Sequence, residues 1–448
     1  MNEAILARFD GCSDIDQIRE RVTVSPAPVR ALGSLNTMMG AEALADALKQ
    51  IYLPNEFSLG FIKEMVDRAS LYSRKLFESQ TAYLSRIYNP PDVEVAPICL
   101  TGLAGIGKSQ TIAALLKVLP PPIGFTCDHF EGTLQLVSYW YASARGKAGG
   151  RQLLADFVLD GQQKSSYNSA KLLIECRRRV NRDGVSMLIL EETQHINKGQ
   201  GASKVTDILL TMAAIGPPMI YVSNYSLVHK LLDRNSEDKQ RLLSEPRVMW
   251  PEAPDGLEWR AYIAECVRVS AGHIQAPLDD LVNEIYRSTF GIKRLAVQLI
   301  KLAYIEARSS GRECIDITDI TRAYRSPVYA SSQIDVEELH MQILQNRTTG
   351  SRMDLRCPFE VPSVLRSNIV KFARADRDNR VINMVFHSSL NESERSAIEQ
   401  IEPEASKATR LTKTPRRPRL PKASETDLAN AFEQIVGSMD PAKPKKPR

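Results

Sequence analysis

The residues best suited to chemistry lie in the stretch TGLAGIGKSQT, residues 101–111. Glycines at fixed places in such a loop let successive backbone N–H groups turn toward phosphate oxygens. A lysine in it reaches the β and γ phosphates, and a following serine is a ligand of Mg2+. The spacing Gly-x4-Gly-Lys-Ser is met by Gly102, Gly107, Lys108 and Ser109, and the same stretch adds Gly105 and Gln110 as binding candidates. The sequence therefore predicts a site for ATP with Mg2+.

A pair of carboxylates follows a second apolar stretch, VSMLILEETQHI. Residues 185–190 form a nearly continuous apolar run, which is typical of a strand in a parallel sheet, and Glu191 and Glu192 stand at its carboxyl end. Acids in this place can retain the water shell of the metal and orient an attacking water. Both are predicted to be catalytic, Glu191 also as a metal ligand. An N-cap or a solvated loop is the alternative.

A third apolar stretch, PPMIYVSNYS, ends in the amide of Asn224. An amide between the γ phosphate and the acid-bearing strand can position the attacking water and sense hydrolysis. A turn residue is the alternative for an asparagine after a strand. The order of loop, acids and asparagine favours the catalytic role.

The elements that must position these residues are also indicated. VEVAPICLTG predicts a buried strand that runs into the glycine loop, and SQTIAALLKVLPPP predicts a helix, with apolar residues at i, i+3, i+4 and i+7 before the prolines. Strands then alternate with helices from Val93 to Pro254. This alternation predicts an α/β fold, a parallel sheet with helices on both faces.

The combined residues resemble the AAA+ ATPases, and within them the regulators of DNA transposition of the TnsC, TniB and MuB type. The likeness runs from about Tyr88 to Pro327 and is strongest in LTGLAGIGKS, LILEETQHI, DKQRLLSEPRVMWP, FGIKRLAVQLIKLA and DITDITRAYRSP. It implies that residues 102–109 are Walker A, Glu191 and Glu192 are Walker B, and Asn224 is sensor 1. Glu191 departs from the pattern, which has Asp there.

The same likeness implies a helical lid whose sensor 2 helix contacts the nucleotide through Arg294, with Lys293 as the alternative. Enzymes of this class commonly complete their site with an arginine from the neighbouring subunit. Arg241 is the first candidate, because it lies in a predicted helix before the fifth strand, and Arg234 and Arg247 are the others. A solvated basic helix face is the alternative. Such a finger implies a homo-oligomer, a ring or a helical filament, whose assembly is linked to ATP binding.

The predicted organisation has five parts: an N-terminal helical region at 1–90, the AAA+ P-loop ATPase domain at 91–254, the helical lid at 255–329, a C-terminal extension at 330–400 and a flexible basic tail at 401–448. In the N-terminal region, an apolar stripe spaced by fours and a three predicts a helix that packs against the ATPase domain; a partner site is the alternative. The stripe consists of Phe57, Phe61, Met65, Ala69, Tyr72 and Leu76.

Two segments are candidates for contact with partners. SARGKAGGRQLL places Arg145, Lys147 and Arg151 among glycines after a strand, where they are predicted to meet the phosphates of double-stranded DNA, as in TnsC-like proteins; a solvated loop is the alternative. In the tail, residues 405–423 carry seven Lys or Arg and no acid. Beyond them SETDLANAFEQIVGSM has helical apolar spacing and predicts a docking peptide, for which the resemblance suggests a transposase; folding back or binding DNA is the alternative.

Composition narrows the class of protein. No apolar run is long enough to span a membrane, and acids near the N-terminus argue against a signal or transit peptide, so we expect a cytoplasmic protein without membrane contact. Seven cysteines without a CxxC pair predict buried, reduced thiols rather than a metal site.

The sequence therefore predicts an ATPase that assembles on target DNA with ATP, recruits the transposase under the direction of a target-site selection protein, and is released by hydrolysis. An initiator or helicase-loader AAA+ protein is one alternative. A nucleotide-binding scaffold that does not hydrolyse ATP is another, which Glu191 in place of Asp leaves open.

Overall fold

The computed structural model describes residues 3–30, 32–92, 95–127, 129, 131–147, 149–158, 168–197, 201–345, 352–391 and 393–394. The predicted tail at 401–448, with its docking peptide, lies outside these residues. Met1–Met384 form one compact unit, and Val385–Arg448 form a second, of which only the first few residues are described. None of the described helices is long and apolar enough to cross a bilayer.

The described residues form seven strands and seventeen α-helices. The strands are β1 Ile98–Gly102, β2 Ile123–Phe125, β3 Leu134–Leu136, β4 Tyr139–Ser143, β5 Met187–Glu191, β6 Met219–Ser223 and β7 Glu245–Met249. The helices before the main sheet are α1 Glu3–Leu6, α2 Ile15–Val22, α3 Thr37–Gln50, α4 Glu56–Leu76 and α5 Gln80–Tyr88. Those that alternate with the strands are α6 Lys108–Val118, α7 Gly150–Val158, α8 Ser169–Arg182, α9 Gly201–Ala213, α10 Tyr225–Leu232 and α11 Ser236–Leu242. The remainder are α12 Leu257–Val269, α13 Leu278–Thr289, α14 Lys293–Ser309, α15 Ile317–Tyr324, α16 Ala330–Gln345 and α17 Ser363–Ser389.

The main sheet has five parallel strands in the order β4-β5-β6-β1-β7. Its three central strands are buried along their whole length, which explains their apolar runs. Alternate side chains enter two cores: Ile189 and Leu100 pack with α4 and α6, whereas Leu190 and Cys99 pack with α7 to α10. The predicted fold class, a parallel sheet with helices on both faces, is confirmed.

The alternation of strands and helices is interrupted once. Between α6 and β4 the chain forms a separate antiparallel pair, β2 with β3, instead of another strand of the main sheet. The edge strand β7 contains Pro246, and the described residues place no further strand on its outer side, so the missing N–H interrupts no second strand pairing there. β4 forms the other edge, with β5 as its neighbour among the strands of the described residues.

The N-terminal helices connect the sheet to the helical layer after it. Phe61, Met65 and Ala69 of α4 lie in one apolar cluster with β1 and α6, and Phe57 packs against it, so the predicted packing is confirmed for this part of the stripe. In contrast, α3 packs on α14 and shares its core with α12 to α15. The segment between Thr37 and Leu76 thus touches both layers that border the glycine loop.

Helices α16 and α17 lie behind that loop. Val336, Leu339 and Ile369 form an apolar cluster with Leu103 and Ile106 of the loop. The cluster also includes Phe290 and Ile292, which lie just before α14, and Tyr225, which follows Asn224. It borders a cavity of about 510 Å³.

All seven cysteines are free, but Cys127, Cys314 and Cys357 are only half-buried, so the prediction of buried thiols is wrong for these three.

Candidate nucleotide site

The loop between β1 and α6 has the geometry that its glycines allow. Gly105 and Gly107 have φ of +84° and +119°, in the region that residues with a side chain rarely adopt. A Cβ at Gly102 would come within 2.6 Å of the Met249 carbonyl oxygen on β7. The loop therefore depends on glycine for its backbone conformation at two places and for close strand packing at a third.

Lys108 is the first residue of α6, and its side chain is buried beneath the loop. Its Nζ donates to the carbonyl oxygens of Gly102 at 2.7 Å and Leu103 at 2.8 Å. Burial lowers the pKa of Lys108 to about 7, and the neighbouring guanidinium of Arg294 acts in the same direction. Phosphate oxygens would favour the ammonium form, so this lysine is suited to binding an anion.

A cavity of about 690 Å³ opens over the loop, a volume within the range of small-ligand sites. The predicted residues that line it are Gly105, Gly107, Lys108, Ser109, Gln110, Glu192, Asn224, Arg294 and Arg145. Elements from five places in the chain thus meet at one opening. Gly102 lies beneath it at the end of β1, and Glu191, Arg241, Lys147 and Arg151 do not line it.

The lid contributes Arg294 through direct contact with the loop. Its backbone N–H donates to the Gly105 carbonyl oxygen at 3.3 Å, and a Cβ at Gly105 would come within 2.5 Å of the Arg294 Nε. Lys293 also lines the cavity, but its Nζ pairs with Glu252 at 3.1 Å and lies over the Tyr262 ring. The contacts therefore favour Arg294 of the two sensor 2 candidates.

The two adjacent acids have different surroundings. Glu191, the last residue of β5, is only 8% exposed, and its Oε2 accepts a 2.6 Å hydrogen bond from the Tyr141 hydroxyl. Glu192 lines the cavity, lies 2.7 Å from His195 Nε2, and has a φ of +58°. A left-handed glutamate costs free energy and is typical of a functional position. Of the two, Glu192 is the one that faces the opening.

The residues present fit a hydrated Mg2+ ion. Oε1 of Glu191 and Oγ1 of Thr101 are buried without a hydrogen-bond partner among the described residues. A buried carboxylate oxygen in that state is destabilising unless a cation or a bound water satisfies it. The described residues contain no cluster of three acidic, histidine or cysteine ligands, and Mg2+ with a nucleotide needs only one or two protein ligands. Glu191 and Ser109 are the candidates.

The three arginines proposed for the neighbouring site differ in their bonds. Arg247 pairs with Glu64 at 2.6 Å, and Arg234 pairs with Asp238 at 2.8 Å and is 29% exposed. Arg241 lies on α11, is 43% exposed, and pairs with the exposed Glu237 at 2.9 Å. Arg241 is thus the most accessible of the three, and its role as a finger stays a prediction.

The three cations of the predicted DNA loop occupy different places. Arg145 lines the cavity over the glycine loop, and Lys147 pairs with Asp156 at 2.6 Å. Arg151 is in the first turn of α7 rather than in the loop, and it borders a smaller depression together with Lys204. Their common role in DNA binding stays a prediction, and Arg145 has a second possible role at the nucleotide site.

One wall of the cavity has no counterpart in the sequence predictions. It consists of Ala45, Leu48, Lys49 and Ile51 at the end of α3, opposite Tyr262, Val297, Gln298 and Lys301 of the lid. The Gln110 side chain donates to the Lys49 carbonyl oxygen at 3.1 Å, which ties the wall to α6. The only signal was the apolar spacing of α3, which is typical of any packed helix.

No protein-family model and no curated protein matches this sequence. Solved structures are similar at low identity. They include the Aeropyrum pernix ORC2 protein in ADPNP-ADP complexes, with 11% identity over 65% of this chain and 74% of that chain and a TM-score of 0.40. Drosophila ORC bound to DNA has 15% identity over 93% of this chain and 91% of that chain, with a TM-score of 0.38. The Thermotoga maritima RuvB Holliday junction branch migration motor has 13% identity over 64% of this chain and 76% of that chain, with a TM-score of 0.33.

With TM-scores below one half, these likenesses do not bear on function. The sheet, the glycine loop and the helical layer over it are properties of this chain itself. By these features the chain has the class of fold predicted for it, a parallel sheet flanked by helices with a further helical layer beside the glycine loop.

Proposed function

We propose that this protein binds and hydrolyses ATP and uses the cycle to control its assembly on DNA during transposition. The observation that carries the ATPase part is the cavity over the glycine loop. Lys108, Glu192, Asn224 and Arg294 line it together, although up to 186 positions separate them (294 − 108). The proposal also includes the division of the chain into the five parts predicted from the sequence.

Each residue has a role that its position allows. Lys108 would exchange its bonds to loop carbonyls for bonds to the β and γ phosphates, and Arg294 would add charge from the lid side. Glu192 would accept the proton of the attacking water, which Asn224 would help to orient. Ser109 and Glu191 would bind Mg2+, which neutralises charge on the phosphates when present.

The transposition part depends on the sequence resemblance. In this proposal the ATP state assembles on duplex DNA of any sequence, recruits transposase subunits, and disassembles after hydrolysis. A neighbouring subunit would supply Arg241, whose accessibility supports that role. The tail at 401–448 would dock on the transposase, and a target-site selection protein would choose where assembly begins.

The decisive experiment measures binding to a random-sequence duplex by fluorescence anisotropy and by particle imaging, with ATP, with ADP and without nucleotide. We expect regular assemblies with ATP alone, none with Lys108→Ala, and persistent ones with Glu192→Gln. Binding that ignores the nucleotide would contradict the assembly switch. Release of phosphate by the wild type separates an ATPase from a scaffold.

The DNA loop needs two separate variants, because Arg145 also lines the nucleotide cavity. We expect Lys147→Ala to make the salt dependence of DNA binding shallower by about one unit in log–log slope and to leave ATP affinity unchanged. Arg145→Ala is expected to change both the salt dependence of DNA binding and the affinity for ATP. An unchanged salt slope in Lys147→Ala would remove this residue from the DNA surface.

The partner assignment is tested by strand transfer with a cognate transposase, which an initiator or helicase loader would not support. Deletion of residues 424–448 is expected to spare ATP hydrolysis and abolish transposase binding. The docking role of the tail would be contradicted if the deletion abolished both ATP hydrolysis and transposase binding, or if it abolished neither.

A further inference from the structure

The Tyr141 hydroxyl is directed at the acid pair from the edge of the sheet. It donates to Oε2 of Glu191 at 2.6 Å. In the β4–β5 register Tyr141 is opposite Ile189, and Ser143 is opposite Glu191. Because side chains two apart on a strand share a face, Tyr141 and Glu191 lie on the same side of the sheet. The strand pairing therefore fixes the tyrosine next to the acid.

The hydrogen bond from Tyr141 gives the two oxygens of the Glu191 carboxylate different surroundings. Oε2 is occupied by Tyr141, whereas Oε1 is buried and has no hydrogen-bond partner among the described residues. A carboxylate of a glutamate can rotate about three side-chain bonds, and a hydrogen bond to one oxygen restricts that rotation. One oxygen is thus left in a defined position for a cation or for its bound water.

The tyrosine gains little else from its position. Its side chain is 43% exposed, in contrast with the fully buried tyrosines of the core, such as Tyr221. Its hydroxyl is the part that contacts a buried group, the carboxylate of Glu191. The contact with Glu191 therefore accounts for the placement of Tyr141 better than core packing does.

We propose that Tyr141 is a positioning residue for the metal-binding carboxylate of Glu191 and that it allows this chain to carry Glu where the pattern has Asp. A shorter acid, retracted by one C–C bond of about 1.5 Å, would leave its oxygen roughly 4 Å from the tyrosine hydroxyl, beyond hydrogen-bond range. The glutamate and the tyrosine thus form a matched pair. This inference rests on the proposed Mg2+-dependent ATP site.

The test measures the affinity for a fluorescent ATP analogue in excess Mg2+ and in EDTA. The ratio of the two affinities is the gain that the metal provides. We expect Tyr141→Phe to lower this gain about tenfold, as loss of a group that orients a metal ligand does, and to leave the affinity in EDTA unchanged.

Two controls make the result specific. Tyr139→Phe alters a tyrosine on the same strand and face that is paired in register with Met187, and it should leave the gain unchanged. In a Glu191→Asp chain, Tyr141→Phe should change the gain by less than about twofold, because the shorter acid does not reach the hydroxyl. Thermal unfolding checks that each variant is folded.

The outcomes separate this inference from the proposed function. If the wild type itself gains nothing from Mg2+, the metal-assisted ATP site is wrong. If the wild type shows the gain and Tyr141→Phe retains it, or loses affinity equally in EDTA, Tyr141 has only a structural role. An equal loss in the Glu191→Asp chain would also overturn the matched pair.

Discussion

The two sides of the glycine loop have different neighbours. Toward the lid, Gly105, Gly107 and Lys108 line an opening with charged and polar groups. Behind the loop, Leu103 and Ile106 enter an apolar cluster made by α16 and α17. Adjacent residues of one short loop therefore face the candidate nucleotide site and a packed interior. We infer that the front determines chemistry and that the back determines how rigidly the loop is supported.

The largest expected effect concerns the front. Glu192→Gln should lower ATP hydrolysis on the order of a thousandfold, because the amide cannot accept the proton of water, while ATP affinity stays within about threefold. Phosphate release under single-turnover conditions measures the rate of ATP hydrolysis. Glu258→Gln, the same change at an exposed position of α12, is the control. Equal hydrolysis by Glu192→Gln and the wild type would assign the base to another residue.

A second change tests binding on the same side. Lys108→Ala removes a charge-assisted contact to phosphate worth about 3 kcal/mol, so the affinity for ATP should fall roughly a hundredfold. Equilibrium titration with a fluorescent nucleotide measures the change. Lys117→Ala, at the other end of α6, should bind normally. If both variants bind alike, the loop does not contact the phosphates through Lys108.

A third change tests the back of the loop. Ile369→Ala deletes a side chain that is 1% exposed and should lower the free energy of unfolding by about 2–5 kcal/mol through the cavity it leaves. ATP affinity at a temperature where the variant is folded should change by less than about twofold. Val364→Ala, on the same helix but 72% exposed, should cost less than about 0.5 kcal/mol. Denaturant unfolding gives both values. A large loss of affinity in Ile369→Ala would show that the back also controls the nucleotide site.

The smallest effect is a pH dependence. The pKa of Lys108 is lowered to about 7, and bound phosphate favours the ammonium form, so ATP binding should take up roughly one proton at pH 8. The affinity should consequently fall about fivefold between pH 7 and pH 8. Calorimetry in buffers of different ionisation enthalpy counts the protons. Lys108→Met removes this contribution and leaves the protons of the nucleotide itself; identical uptake by both proteins would contradict the assignment.

The sequence predicted the parts of the site whose signal is local. The fixed spacing of Gly102 to Ser109 requires a particular loop, and the apolar runs before Glu191 and Asn224 are strands in the structure. It predicted less well where helices end and loops begin, since Arg151 is in α7 rather than in the loop. The five-part division, the arginine finger and the DNA contacts stay predictions.

What the sequence alone determined is the loop, the acids, the asparagine and the class of fold, because backbone geometry and side-chain period are encoded within a few neighbouring residues. Only the tertiary structure decided that Arg294 lies closer to the loop than Lys293, that α3 forms a wall of the cavity, and that Tyr141 bonds to Glu191. These contacts join residues far apart in the chain. They depend on how helices and strands pack, and no local spacing specifies that packing.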